Sequence, residues 1–560
     1  MRGLCMFLPV CDDYDALIAQ FRWEIPEKFN IGRAVADDWA RKEPHRVALQ
    51  HFSADGQHGE MTYGALRDRS NQLANGLLSL GVTSGERVAI LLPQSFETVI
   101  AHVAIYKLGG IALPLALLFG ADALEYRLND SGAVAVITNA FGLSKLQAIR
   151  AHLTDLHHIV VADDSMHPDT HDFETLLAAH PPLFEVADTS KDDPALMIYT
   201  SGTTGPPKGA LHAHRVLPGH VPGVQMAQEF MPQPGDRFWT PSDWAWAGGL
   251  LNCLLPGLMM GVPCVCSPAQ KFDPDLAYRI MAEMGVTNAF IPPTALRLMT
   301  AIADPLKKYD LKLRAIGSAG ESLGRETYEW ARRTLGITVN EFYGQTECNI
   351  VLGSMASLGV TRAGAIGKVT AGHTVAVIDE KGCELPPGTA GQIAVKRPDP
   401  VMFLKYWNNP EATEKKFTGD WMLTGDQGVM DRDGYVEFFG RDDDVITSSG
   451  YRIGPSEIED CLLSHPSVQL AAAIGKPDPL RTEIVKAYVV LAPGFKPSAK
   501  LAGEISDWVK QRLSMHEYPR EVEFIDALPL TTTGKVIRRK LRDKAIADTV
   551  AMKPKKAVRR

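Results

Sequence analysis

The sequence lacks the features that would place it in the simplest functional classes. Its 8 cysteines in 560 residues are scattered: Cys5, Cys11, Cys253, Cys264, Cys266, Cys348, Cys383 and Cys461. None shows zinc-ribbon or Cys-x-x-Cys spacing, so they read as small buried hydrophobes in a reducing compartment, the cytoplasm. His212, His214 and His220 cluster, but at spacings poor for zinc. Positive charge is not in excess: 58 Lys+Arg against 66 Asp+Glu leave −8. That argues against a nucleic-acid partner, whose phosphates need a basic surface. The longest apolar stretch, 250–266, is broken by Asn252, Pro256, Gly257, Gly261 and Pro263. A membrane span needs ~20 mostly apolar residues, so this stretch reads as core and no integral membrane segment is expected. The apolar start, 1–10, has no cleavage pattern and runs into Asp12 and Asp13, as a mobile terminus would. No fixed-period repeat is present.

What is present is ordinary globular composition, 45% hydrophobic and 22% charged, in a chain long enough for several cores. Apolar strand-like runs at 87–93, 134–138, 158–162, 195–199, 286–291 and 337–342 alternate with helix-like stretches such as 96–108. The alternation predicts an α/β fold of several layers with parallel sheets. Past Gly364, short strands at 374–378, 392–395 and 435–439, separated by Gly, Asp and Pro, predict a β-rich subdomain. The charged break 440–445 precedes another compact unit: helix 455–463, strands 470–474 and 484–491, helix 502–513. We therefore expect a large N-terminal domain, 1–440, and a small α+β C-terminal domain, 441–560. The tail carries Lys553, Lys555, Lys556, Arg559 and Arg560 and reads as a solvated end.

The most informative stretch is 199–209. Gly202, Gly205 and Gly209 let the backbone turn tightly and approach a ligand. Thr200, Ser201, Thr203 and Thr204 offer hydroxyls, successive backbone N–H groups can form an anion nest, and Lys208 adds positive charge. The loop suits a polyphosphate. It is not a Walker A loop, because no Ser or Thr follows the lysine.

Residues 199–209 resemble the signature of the adenylate-forming (AMP-binding) superfamily: acyl-CoA synthetases, luciferases and peptide-synthetase adenylation domains. Further motifs follow in the family's order. Gly320, Glu321 and Ser322 resemble the adenine-side segment, and 343–347 the aromatic-x-x-Thr-Glu motif. Thr424, Gly425 and Asp426 resemble the ribose motif, while Gly440–Arg441 and 449–452 resemble the hinge region and the start of the C-terminal domain. The segment 530–536 resembles the one carrying the catalytic lysine. The resemblance spans about 62–542 and implies a two-step ligase. A carboxylate attacks the α-phosphate of ATP to give acyl-adenylate and pyrophosphate; the thiol of coenzyme A then takes the acyl group and releases AMP.

The same resemblance implies roles. Lys535 bridges the carboxylate and α-phosphate during adenylation. Thr346 contacts phosphate, and Glu347 assists Mg²⁺ brought with ATP. Tyr343 offers a stacking face for adenine, with Gly344 and Gln345 beside it. Asp426 and Arg441 grip the ribose. Asp443 falls at the hinge, while Ser449, Gly450 and Arg452 line the route of coenzyme A. Trp244, Trp246, Ala247, Gly248, Ala319 and Gly344 are placed at the acyl pocket. Acetate-specific relatives carry a tryptophan where this chain has Gly344, so the pocket is expected to exceed acetate. Residues 343–348 look most like medium-chain acyl-CoA synthetases, but Cys348–Asn349 departs from their usual Thr-Gly, and an aromatic, benzoate-type acid stays open. So do a homo-oligomer, loading of a separate carrier protein, a luciferase-like oxygenase and a nucleotide sensor.

Overall fold

The computed structural model describes residues 8–56, 58–163, 167–200, 206–267, 272–441, 444–448, 451–478, 481–513, 517–531 and 535–551. An eight-stranded sheet runs in the spatial order Lys405–Tyr406, Lys208–Ala213, Pro194–Thr200, Ile111–Pro114, Arg87–Leu91, Ala135–Thr138, His158–Val161, His171–Asp172. Its central pairings from Pro194–Thr200 to His171–Asp172 are parallel. A nine-stranded sheet has parallel strands Asn288–Phe290, Ala315–Ser318 and Val339–Gln345 at its heart, and then turns antiparallel into Asn349–Gly353.

Helices cover these sheets. Phe96–Leu108, almost wholly buried, begins where the Ser95 side chain accepts from Thr98 N and ends on Gly109 at φ 77°, a conformation glycine adopts without strain. Val216–Ala227 is buried along its whole length. Residues 250–266 form a π-turn, the helix Leu255–Met260 and the strand Cys264–Cys266, all in the core. Their apolar run is thus protein interior, and among the described residues no helix is long and apolar enough to cross a membrane.

The β-rich region past Gly364 is an antiparallel sheet built on Val375–Ile378, Ala390–Lys396, Phe417–Thr418, Trp421–Met430 and Val436–Arg441. A smaller C-terminal unit follows, with its own apolar cluster around Ile458, Ala473, Ala487 and Val509. Its helix Pro455–Leu463 has the bounds expected from the sequence, with Pro455 where a missing N–H costs nothing. Its long strands Val468–Asp478 and Thr482–Leu491 pair antiparallel. The interior strand Asn288–Phe290 is shorter than the apolar run 286–291, because ladder pairing starts only at Asn288.

Candidate active site

The glycine-rich stretch lies between two paired strands. Thr200 and Lys208 are paired residues on the antiparallel strands Pro194–Thr200 and Lys208–Ala213, and Thr200 Oγ1 lies 3.5 Å from the Lys208 carbonyl. Ser201, Gly202, Thr203, Thr204 and Gly205 lie outside the described residues. Lys208 Nζ sits 5.3 Å from the ring centre of Tyr406, and the Tyr406 hydroxyl donates to Glu347 Oε1. Glu347 is only 8% exposed, and its carbonyl accepts from Phe403 N at 2.8 Å. The loop lysine and the motif carboxylate thus flank one phenol. Nothing in the local pattern of residues 403–407 announces this, because the partners come from strands far apart in sequence.

Glu347 and Thr346 sit at the turn between Val339–Gln345 and Asn349–Gly353. At the same turn Tyr343 and Gln345 reach across to the β-rich sheet. The Tyr343 hydroxyl donates to Asp426 Oδ2 at 2.6 Å, and Gln345 Nε2 donates to the same oxygen at 2.7 Å. Burial beside Asp426 holds the Tyr343 phenol well above its ordinary range, so it stays a donor. Lys416, not anticipated from the sequence, donates to Gln345 Oε1 at 3.2 Å. Asp426 pairs by backbone register with Arg441, so the two expected ribose residues are neighbours on adjacent strands. The side chains of Arg441 and Arg452, and all of Asp443, Ser449 and Gly450, lie outside the described residues.

Gly320 follows the strand Ala315–Ser318 at φ 103°, and a Cβ there would lie 3.7 Å from Lys535 Cε. The lysine of the C-terminal unit therefore rests on the adenine-side segment of the N-terminal one. Its backbone is fixed by a turn: Thr531 N donates to the Lys535 carbonyl at 2.7 Å, and Lys535 N donates to Thr531 Oγ1 at 3.0 Å. Glu321 and Ser322 are pinned in turn. Thr294 Oγ1 donates to Glu321 Oε1 at 2.7 Å, and Arg297 Nη2 donates to the Ser322 carbonyl at 2.8 Å.

The acyl-pocket expectations divide. Trp246 is partly exposed, edge-on to Phe119 with ring centres 5.6 Å apart. Ala247 and Gly248 are partly exposed too, and a Cβ at Gly248 would lie 3.2 Å from Phe290. Ala319 joins Phe290 in the large apolar cluster. Trp244, by contrast, is buried in that core. Gly344 does not offer the open volume expected of a pocket floor. A Cβ there would fall 1.2 Å from the Asn349 carbonyl oxygen, so its missing side chain admits the neighbouring strand.

The three histidines are core groups. Burial pushes His212 and His214 down to about 4 and His220 to about 3, so all are neutral at working pH. Among the described residues no cluster of three or more His, Cys, Asp or Glu could hold a metal.

The contact between the units buries carboxyls. Asp460 of the helix Pro455–Leu463 approaches Gly324, where a Cβ would meet Asp460 Oδ1 at 2.3 Å. Burial raises Asp460 to about 7 and Glu341, which accepts from Leu323 N at 3.0 Å, to about 8. Both folded-state values lie above the ordinary carboxyl range, so the folded chain holds protons that the unfolded chain releases. The stability is complete below the unfolded carboxyl values near 4, is lost progressively as pH rises from there to 7 and 8, by at most about 1.4 kcal/mol per pH unit for each proton, and changes no further above that. The thermal midpoint should fall from about pH 5 to about pH 8 and level off above that, and Glu341→Gln should flatten that fall. Parallel midpoint curves for wild type and variant would reject the assignment.

Known proteins are similar to this chain over most of its length. Residues 36–407 match the AMP-binding enzyme family, and residues 457–535 match the AMP-binding enzyme C-terminal domain. The mitochondrial acyl-coenzyme A synthetase ACSM2 of Rattus norvegicus is 34% identical over 533 residues, 93% of this chain and 92% of the relative. The acetyl-coenzyme A synthetase of Bacillus subtilis (strain 168) is 34% identical over 504 residues, 89% of this chain and 87% of the relative. The crystal structure of the anthranilate CoA ligase AuaEII with anthranoyl-AMP superposes with a TM-score of 0.87 at 30% identity, covering 94% of this chain and 99% of the other. This chain belongs to the AMP-binding enzyme family and is an AMP-forming acyl-CoA synthetase, a ligase that uses ATP and coenzyme A.

Proposed function

We propose that the chain activates a carboxylic acid larger than acetate, short- to medium-chain or aromatic, and passes it to coenzyme A. The observation that carries this reading is the seating of Lys535 against Gly320, beside the apolar cluster that holds Ala319 and Phe290. An ammonium there meets two anions, the acid carboxylate and the α-phosphate, as they come together. Adenylation has little covalent work for side chains to do, so positioning and charge neutralisation supply the rate. Lys208 and the backbone amides of the glycine-rich stretch take the outer phosphates. Thr346 donates its hydroxyl to a phosphate oxygen. The donor set around Glu347, one buried carboxylate beside a hydroxyl, fits Mg²⁺ brought with ATP, since that ion keeps few protein ligands and takes the rest from phosphate and water. Bound there, it would neutralise phosphate charge.

Asp426, oriented by Tyr343 and Gln345, accepts from the ribose hydroxyls, and Arg441 completes the grip. We place the domain boundary near residue 441 and the hinge at Asp443. Rotation there withdraws Lys535 and brings Ser449, Gly450 and Arg452 to the thiol's path. Phe290 and Trp246 favour a flat acid as the second reading. A reducing compartment, cytoplasm or mitochondrial matrix, suits the buried thiols Cys253, Cys264, Cys266 and Cys348, and imaging of the tagged chain distinguishes the two.

The test is an acid panel, acetate to octanoate plus benzoate and anthranilate, with ATP and Mg²⁺, with and without coenzyme A. Pyrophosphate release that depends on acid, and AMP release that depends also on coenzyme A, are expected, with kcat/KM for the best acid at least tenfold above acetate. A preference for acetate overturns the substrate reading. Transfer to a phosphopantetheinyl carrier in place of coenzyme A favours the carrier-loading alternative.

A further inference from the structure

A polar pair that none of the proposed catalytic steps uses lies at the acyl side. His220, on the helix Val216–Ala227, is 1% exposed, and its Nε2 lies 2.8 Å from Asn252 Oδ1 on the π-turn Leu250–Leu254. Burial keeps the imidazole neutral, so it carries one N–H. The amide oxygen only accepts, which puts that proton on Nε2. His220 Nδ1 is buried with no hydrogen-bond partner. The bond fixes the amide plane and turns Asn252 Nδ2 to the opposite side.

That side is open. Leu250, Leu251, Cys253 and Leu254 are all fully buried, yet Asn252 among them is partly exposed. A Cβ at Gly248 would lie 3.9 Å from Asn252 Nδ2 and 3.2 Å from Phe290. The amide nitrogen therefore lies beside Gly248, on the segment that also carries Trp246 and Ala247. Gly223, one turn beyond His220, packs on Ile350 of the hairpin that carries Glu347. Among apolar neighbours, an amide N–H pair stripped of water by a plain hydrocarbon loses its hydrogen bonds, whereas an oxygen acceptor replaces them. A neutral pair supplies no countercharge, which disfavours a second carboxylate.

We infer that Asn252, oriented by His220, is a specificity residue that reads an uncharged oxygen acceptor at the far end of the acid. The preferred substrate is then a hydroxy-, alkoxy- or oxo-substituted carboxylic acid rather than a plain hydrocarbon one. This inference rests on the acid-ligase reading and adds the substrate's second functional group. His220 acts through Asn252 as a positioning residue.

The test compares matched acids: hexanoate against 5-oxohexanoate and 6-hydroxyhexanoate, and benzoate against its 3- and 4-hydroxy and methoxy derivatives. The readout is the ratio of kcat/KM between the best substituted acid and its parent, not the absolute rate. Wild type should show a ratio of about ten or more, the worth of one neutral hydrogen bond. Asn252→Leu should bring it to about one. Asn252→Asp keeps an acceptor for His220 but removes the donor, and should do the same; it carries the comparison if the leucine variant folds poorly. A wild type in which no substituted acid exceeds its parent overturns the inference, as does a ratio unchanged in both variants. Binding of the same acids in the presence of AMP, read by thermal shift, separates the two layers. Discrimination in binding with no pyrophosphate release from any acid overturns the ligase reading and keeps the assignment of Asn252. No discrimination in binding overturns the assignment.

Discussion

Lys535→Ala should lower acid-dependent pyrophosphate release by on the order of a hundred- to a thousandfold, the range seen when one preorganised charge-stabilising donor is removed. Thioester formation from a supplied acyl-adenylate should stay within a few-fold of wild type. The reason is geometric. Lys535 reaches Gly320 from a turn of the C-terminal unit, and that turn is held locally by its bonds with Thr531. Truncation removes the charge and leaves the turn. The second half-reaction develops no new negative charge between carboxylate and phosphate, so it has no use for the ammonium. Stopped-flow pyrophosphate detection for the first step and thioester absorbance for the second measure the two separately. Equal losses in both would place Lys535 in the architecture of the docked unit and not in adenylation.

Gly344→Ala should be nearly as damaging, for a different reason. Its Cβ would fall 1.2 Å from the Asn349 carbonyl oxygen, a distance no packing adjustment of side chains can relieve. The neighbouring strand would have to move, yet Asn349 stands at φ 50° with its Nδ2 donating to the Val401 carbonyl at 3.2 Å. The turn between the strands carries Thr346 and Glu347. Displacing it should lower kcat/KM at least a hundredfold for every acid alike, and overpacking should cost about 1–3 kcal/mol of stability or more. Gly344→Trp should behave the same way. A volume argument from the sequence would instead have tryptophan contract the pocket and shift preference towards acetate. The panel from acetate to octanoate, with a thermal midpoint for each variant, decides. A selective sparing of acetate and propionate would restore Gly344 to the pocket.

That contrast shows where sequence reading ends. The helices Phe96–Leu108 and Pro455–Leu463 were legible in the sequence, and the structure adds that Ser95 and Gly109 bracket the first and Pro455 opens the second. The strand Pro194–Thr200 was legible because its apolar run ends straight at glycines and hydroxyls. Tyr343, Gln345 and Asp426 were legible singly, as motif members, and the structure adds that they share one carboxylate oxygen. The link from Lys208 through Tyr406 to Glu347 was not legible, nor was the meeting of His220 with Asn252 or of Asp460 with Gly324. Each joins residues tens to hundreds of positions apart, and no periodicity or local composition encodes a side-chain contact at that range. Gly344 misled for a related reason. A glycine announces missing volume, but only the backbone says whether that volume faces a ligand or another strand.

Oxygen tracing is the most direct measurement of the chemistry. The chain is incubated with a substrate acid labelled with ¹⁸O in both carboxylate oxygens, together with ATP, Mg²⁺ and coenzyme A, and the products are weighed by mass spectrometry. If the carboxylate attacks the α-phosphate and coenzyme A then displaces AMP from the acyl carbon, one labelled oxygen passes to each AMP and one stays in the thioester. Pyrophosphate carries none. Label in inorganic phosphate with ADP as the nucleotide product would mean an acyl-phosphate route, and unlabelled AMP would mean that no acyl-adenylate forms; either result contradicts the adenylating role assigned to Lys535 and its surroundings.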